Sequence, residues 1–218
     1  AKFRDAGLDA LDDVALGAQR ISDINNAIRN QARNDGFLPA QPLRPIAEEC
    51  RVILAGKLKG LTCSIDIDEG LVMDCKRSQL GQVFTNLMSN AADAVVEKHG
   101  QVAEGHLRVR AKAHEGKVII DVEDNGPGIP EEAKEKVMTA FYTTKGVGHG
   151  TGLGMSISNK IIQGHAGELQ LLDSVELGGA CVRMILPSVQ MNASHEKSGY
   201  TVDGSGETAD ESATGVAL

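Results

Sequence analysis

Aromatic side chains are nearly missing from this chain. No Trp, two Tyr and four Phe bring aromatics to 3% of 218 residues, so any core must be aliphatic. Positive charge is also in short supply: 22 Lys and Arg against 30 Asp and Glu leave a formal net charge of -8. That balance disfavours a nonspecific nucleic-acid surface or an anionic-membrane surface, though it permits one local phosphate site. No nucleic-acid partner is expected. Paired cysteine spacing is absent as well. Cys50, Cys63, Cys75 and Cys181 are scattered, without the pattern of a zinc site or a thiol-redox motif, and read as reduced core thiols of a cytoplasmic protein. No apolar run approaches the length of a membrane span, and the start AKFRDAGLDALDD lacks the apolar stretch of a signal peptide. The first residue is Ala rather than Met, which predicts a fragment, with room upstream for a sensor or a membrane anchor of the full-length protein.

What the chain does have is 41% hydrophobic residues, enough to fill one domain with appendages. It also has a polar stripe on an apolar helix. In QVFTNLMSNAADAV, residues Gln82, Asn86, Asn90 and Asp93 follow at spacings of four, four and three and share one face. Leu80, Val83, Phe84, Leu87, Met88, Ala91 and Val95 take the other face. One face packs and the other meets something polar. Two glycine-rich segments follow, DNGPGI and GHGTGLGM. Aligned amides, an Asp beside glycines that admit a ligand to the backbone, and a glycine loop entering a helix together describe a nucleotide and metal site.

Around that centre the pattern predicts alternating elements. Up to about Asn34, apolar or small residues at Leu11, Val14, Ala18, Ile21, Ile28 and Ala32, with Asn25 on the same seam, form a heptad pattern. This describes a helix of a coiled or bundled dimer, or equally an amphipathic helix packed on its own domain. Gly36, Pro39, Pro42 and Pro45 then read as a hinge. A helix from Ile46 to about Leu58, a half-buried strand in LTCSIDID and a short strand in VMDC come next. Ser78 is the expected N-cap of the striped helix, which stops near Gly100. HLRVRAKA and KVIIDVED form a hairpin around His114-Glu115-Gly116, and its second strand runs into Asp124. Pro130, Glu131 and Glu132 open a short helix. After a long loop, AFYTTKGVGHGTGLGM, a helix runs from about Leu153 to Gln163, and GELQLLD and GACVRMILP close the fold at Pro187. The tail beyond carries five acidic residues against one Lys and reads as a disordered end or linker. His99, His106, His114, His165 and His195 are read as solvent contacts rather than metal ligands, and His149 as a variable lid position within the glycine loop.

NLMSNAADA, DNGPGIP, FYTTK and GHGTGLGM, in this order, resemble the N, G1, F and G2 boxes of the ATP-binding domain of bacterial sensor histidine kinases. That domain belongs to the superfamily of gyrases, chaperones, histidine kinases and mismatch-repair proteins. The resemblance covers about Ile46 to Pro187. It implies a two-layer α/β sandwich, the Bergerat ATP-binding fold, with a mixed sheet covered by helices on one face and preceded by a dimerisation helix. Residues 1–38 would hold the second helix of a dimerisation hairpin and a hinge, 39–188 the catalytic domain, and 189–218 the acidic tail.

The resemblance further implies Mg-ATP as cofactor and a site that can be assigned by residue. Asn90, with Asn86 one turn earlier, would ligate magnesium, since a neutral amide oxygen suits a hard cation. Asp124 would accept a hydrogen bond from the adenine amino group, with Gly126 and Gly128 bringing the backbone near the base. Asp93 would join the ATP contacts from the striped helix. Gly150, Thr151, Gly152, Leu153 and Gly154 would surround the phosphates at a helix N-terminus. Thr143, Thr144 and Lys145 would lie in the lid, Lys145 acting in catalysis with Asn86 and Asn90. Where hydrolysing relatives carry a Glu base, this chain has Asn86, and an amide cannot take a proton. The γ-phosphoryl group is therefore kept for another nucleophile, a histidine on a dimerisation hairpin, and from there for a response-regulator receiver domain. No His here occupies the acceptor position, so the chain would bind ATP without phosphorylating itself. A second departure is Ala180 and Val182, where relatives commonly have Thr and Phe. A homodimeric histidine kinase catalytic part is expected; a non-catalytic ATP-binding regulatory module and an anti-sigma-type serine kinase are the alternatives.

Overall fold

The computed structural model describes Gly17 and residues 36–100, 104–143 and 151–188. The heptad seam from Leu11 to Ala32, the acidic tail, His149, His195, Thr144, Lys145 and Gly150 lie outside the described residues.

Five strands form one mixed sheet. They are β2 (Thr62–Ile67), β4 (His106–His114), β5 (Lys117–Asp124), β6 (Glu168–Asp173) and β7 (Ala180–Pro187), in spatial order β2-β4-β5-β7-β6. β2 pairs parallel to β4, and every other pairing is antiparallel. Strand alternation divides the sheet into two unlike faces. Leu107 and Val109 of β4, Val118, Ile120 and Val122 of β5, and Val182, Met184 and Leu186 of β7 are buried in one core. The opposite face carries Arg108, Arg110, Asp121, Glu123 and Arg183, whose charges pair across strands: Arg183 donates to both oxygens of Asp121, and Arg108 and Arg110 converge on Glu123.

The apolar face is covered by α1 (Leu43–Ile53), α2 (Arg77–His99) and α4 (Gly154–Gly164). α2 is the striped helix. Its Leu80, Val83, Phe84, Leu87, Met88, Ala91, Ala92 and Val95 are all buried, as the apolar half of its pattern requires. A short α3 (Glu131–Val137) follows β5, with Glu131 and Glu132 in its first turn and Lys134 and Lys136 in its last. Among the described residues the core holds one large aromatic, Phe84; the remainder is aliphatic, with Met73, Met88 and Met184 filling between layers. Cys50, Cys75 and Cys181 are buried free thiols, and Cys63 is half-buried.

Four local expectations need correction. The proline-rich hinge contains a strand, β1 (Leu38–Pro42), which pairs antiparallel with β3 (Val72–Cys75) in a separate two-stranded sheet. Its prolines occupy a short, largely exposed strand beside a register irregularity, where missing amide donors are tolerated. α1 then starts earlier than expected, at Leu43, and gives way after Ile53 to a run of turns. Ser78 does not cap α2. The N-cap is Lys76, and Ser78 Oγ is buried without a hydrogen-bond partner. The Lys76 amide instead donates to Nε2 of His165, 3.1 Å away, which also corrects the expectation that every histidine meets solvent. His165 is 4% exposed at the end of α4, its Nδ1 2.8 Å from the Ile161 carbonyl. Burial lowers its pKa below the ordinary imidazole value, so both ring nitrogens serve a neutral ring, Nδ1 as donor and Nε2 as acceptor.

Candidate nucleotide-binding site

The parity of β5 explains the first anomaly of the site. Val118, Ile120 and Val122 point into the apolar layer, and the next residue on that face is Asp124, a carboxylate only 4% exposed. Its Oδ1 accepts from the Gly126 amide at 2.8 Å and the Ala180 amide at 3.2 Å. Oδ2 takes no partner from the described residues, yet is not sealed away as Ser78 Oγ is. Burial pushes the carboxyl above its usual range, against the pull of those two amides and of Lys98. A buried acceptor held on one oxygen and open on the other is a poised receptor for a hydrogen-bond donor.

The backbone around Asp124 leaves no room for side chains. A Cβ on Gly126 would lie 2.9 Å from Ala94 atoms of α2, and one on Gly179 would lie 2.4 Å from the Asp124 carbonyl oxygen and 2.6 Å from the Gly126 nitrogen. Gly128, with φ +82°, takes a left-handed turn. The end of α2 clamps this loop: Lys98 Nζ donates to the carbonyls of Asn125 and Gly126 at 3.0 Å each, and His99 Nε2 lies 3.0 Å from the Asn125 carbonyl. Asn125 in turn accepts from the His106 amide and donates to the Glu104 carbonyl. On the other side, Ser174 Oγ donates to Glu123 and accepts from the Leu177 amide, shaping the β6–β7 turn that delivers Gly179 and Ala180. A cavity of about 300 Å³ opens between that turn and Pro127–Pro130.

The second half of the site is built from helix faces. Asn86 Nδ2 donates to the Gly154 carbonyl at 3.3 Å and Ser158 Oγ at 3.4 Å, so the stripe of α2 lies against the first turn of α4. At Gly154 a Cβ would make ordinary contact, 3.7 Å from the Asn86 amide carbon, whereas Gly152 has φ +67° and a Cβ there would meet the Phe141 backbone at 2.5 Å. The Phe141 amide donates to the Gly152 carbonyl at 2.9 Å, joining the segment after α3 to the loop before α4. Asp93 pairs with Lys57 at 2.7 Å. Asn90 stands between Asn86 and Ala94 on the same side of α2 and is half-buried. Thr151 and Leu153 are half-buried before α4, and Thr143 is exposed.

The fold thus gathers Asn86, Asn90 and Asp93, the Asp124–Gly128 loop and the Thr151–Gly154 entry to α4 around one side of α2. Sequence reasoning missed Lys98, His99, Ser174 and Lys57. Basic residues in a last helical turn are common for dipole reasons alone, and nothing local marks these as loop clamps.

The profile of the histidine kinase-, DNA gyrase B- and HSP90-like ATPase family matches residues 75–190. The chain belongs to that family. Among curated relatives, the sensor protein ChvG of Agrobacterium fabrum is 35% identical over 127 residues, covering 55% of this chain and 20% of that protein. The C4-dicarboxylate transport sensor protein DctB of Rhizobium meliloti is 30% identical over 166 residues, covering 74% of this chain and 26% of its own length. The chain therefore spans about a fifth to a quarter of these relatives. Among solved structures, the nucleotide-free catalytic domain of histidine kinase ThkA superposes with a TM-score of 0.60 at 30% identity, covering 70% of this chain and 96% of that domain. The five-stranded mixed sheet with helices on one face is the histidine kinase catalytic-domain fold. No helix among the described residues is long and apolar enough to cross a membrane.

Proposed function

We propose that this chain is the catalytic part of a sensor histidine kinase, transferring the γ-phosphoryl group of Mg-ATP to a histidine on a dimerisation hairpin and onward to a response-regulator receiver domain. The observation that carries the reading is the Asp124 carboxylate, buried, held on Oδ1 by two amides and open on Oδ2. An adenine amino group is the donor that suits it, and guanine, with a carbonyl there, does not. Gly126 and Gly179 keep the surrounding backbone bare, so a flat base can lie against it.

Asn90, with the free Oδ1 of Asn86, supplies neutral amide oxygens for magnesium. Among the described residues no three His, Cys, Asp or Glu side chains are grouped to hold a metal, so Asn86 and Asn90 are the residues that would hold such an ion. When bound, Mg²⁺ neutralises developing charge on the phosphates. Gly152, Leu153 and Gly154 would present the N-terminus of α4 to the phosphates, and we assign Thr143, Thr144, Lys145, Gly150 and Thr151 to phosphate binding on the sequence resemblance alone. Asn86 holds its place through α4 and offers no base, so water is not activated and the γ-phosphoryl group survives until an acceptor histidine docks. We assign residues 1–38 to a partial dimerisation hairpin of a homodimer, 39–188 to the catalytic domain and 189–218 to a tail; the sensor-protein relatives are compatible with a membrane anchor elsewhere in the full-length protein.

The test is phosphate transfer from γ-labelled Mg-ATP to a separately supplied dimerisation hairpin carrying its histidine. Acid-labile, base-stable label on the hairpin is the expected result. ATP binding without transfer to any such hairpin favours a non-catalytic regulatory module, and tight ATP binding by both Asp124→Ala and Asn90→Ala overturns the site.

A further inference from the structure

Lys57 lies in none of the four sequence boxes, yet the fold delivers its ammonium onto the polar stripe of α2. The delivery is rigid. After α1, the Lys57 amide donates to the Leu54 carbonyl at 2.8 Å, the Leu58 amide to the same oxygen at 2.9 Å and the Leu61 amide to Leu58 at 3.0 Å, while Leu58 itself is buried in the core. From this pinned turn Nζ reaches Ser89 Oγ at 2.6 Å and Asp93 Oδ1 at 2.7 Å.

The position of those two partners matters. At about 100° per residue around α2, Lys98 and Ala94 face the Asp124 loop, Asn90 and Asn86 come next, and Asp93 and Ser89 complete the arc on the far side. Lys57 therefore bounds the site at the end opposite the adenine acceptor, just past the Asn86 contact with the first turn of α4. A carboxylate at that end repels a polyphosphate unless it is neutralised, and Asp93 has its counter-charge in Lys57. An ammonium has three donors. Two go to Ser89 and Asp93, the third has no acceptor among the described residues, and the side chain keeps 36% of its surface exposed.

We propose that Lys57 is a further ATP-binding residue, donating its third N–H to the terminal phosphates while Asp93 and Ser89 hold it in place. This rests on the nucleotide-site reading above. The plain alternative is a half-exposed ion pair that only tethers the α1–β2 turn, worth little. The two differ in ligand dependence, because a tether is indifferent to the number of phosphates.

Calorimetric titration of adenosine, Mg-ADP and Mg-ATP into the 218-residue chain, its Lys57→Met variant and its Lys57→Arg variant separates them. A lost charge-assisted hydrogen bond predicts that Lys57→Met weakens Mg-ATP by about tenfold, Mg-ADP by less and adenosine not at all, with most of the loss restored in Lys57→Arg. Equal loss for all three ligands, or no loss, overturns the assignment of Lys57 while leaving the nucleotide site intact. Failure of the unsubstituted chain to bind any of the three overturns both.

Discussion

The two ends of the site are made in different ways. The adenine end is a backbone structure: Asp124 terminates a central strand, two amides fix one of its oxygens, Lys98 and His99 clamp the loop from α2, and Gly126 and Gly179 pack at distances that no side chain allows. The phosphate end consists of side chains on two helix faces and a turn, with Asn86 to α4 at 3.3 and 3.4 Å and Lys57 to α2. The first end is closed by backbone packing, and the second rests on side chains, with long Asn86 contacts to α4 and short Lys57 contacts of 2.6 Å to Ser89 and 2.7 Å to Asp93. Recognition of the base should therefore be nearly all-or-none, and recognition of the phosphates graded. That division suits the proposed phosphotransfer, in which the nucleotide stays held while its phosphate end changes partners.

The sharpest way to break the comparison is Asp124→Asn. The amide oxygen can still accept from Gly126 and Ala180, but an NH₂ group then faces the adenine amino group, donor against donor. ATP affinity should fall by about 100-fold or more, from a lost charge-assisted bond plus an unsatisfied buried pair. Stability should not fall with it. Because burial raises the Asp124 pKa, the folded state binds its proton more readily than the unfolded chain, and the carboxylate opposes folding once pH rises above its normal titration range. Removing the charge relieves that opposition. A melting temperature at pH 7 equal to or above that of the unsubstituted chain, with calorimetric loss of ATP binding, is the expected pair of results.

Gly179→Ala attacks the same end through packing. With a Cβ 2.4 Å from the Asp124 carbonyl oxygen, either the β6–β7 turn or the β5 terminus must move, at roughly 1–3 kcal/mol by the usual range for overpacking. Chemical denaturation should show the loss, and adenosine binding should weaken in parallel. Asn86→Ala tests the other end. It removes two long hydrogen bonds and one amide oxygen, so Mg-ATP should weaken by about tenfold while adenosine binds unchanged. Adenosine loss equal to ATP loss would erase the distinction between the ends.

How much of this was legible beforehand follows the same division. The centre of the adenine end lies in contiguous sequence: the alternation of KVIIDVED, its run into Asp124 and the glycines beyond can be read along the chain because strand parity and turn chemistry are local, whereas Lys98, His99, Ser174, Gly179 and Ala180 reach it from elsewhere in the chain. The face of α2 was equally readable from its period. What could not be read is whatever crosses the fold. The parallel pairing of β2 with β4, the pairing of β1 with β3 through a proline-rich stretch, and the passage of Lys57 over α2 depend on contacts 30 to 44 positions apart, for which no local pattern exists. Ser78 illustrates the point. It has the right residue type and position for an N-cap, but the end of α2 meets a buried imidazole from α4, and tertiary contact overrode the local preference.

That imidazole gives the smallest effect, and it sharpens the comparison because it joins the start of α2 to the end of α4 opposite Gly154, against the ring of Phe37 and away from the Asp124 loop. His165 is neutral in the folded chain, its pKa lowered first by burial and then by the charge of Lys76, against the opposing Ile161 hydrogen bond. The unfolded chain therefore binds the proton first. The His165 contribution to stability is fully present above the ordinary imidazole pKa of 6.5 and declines as pH falls below it, until the folded-state pKa is also passed. Protonation would set Nε2 as a donor against the Lys76 amide and loosen the joint between α2 and α4, which carries the Gly154 end of the site. Denaturation measured from pH 7.5 down to 5.5 should show a decline that His165→Gln largely removes, and over the same range Mg-ATP affinity should fall more than adenosine affinity. A pH response identical for the two ligands would place the joint's influence on the whole domain rather than on the phosphate end.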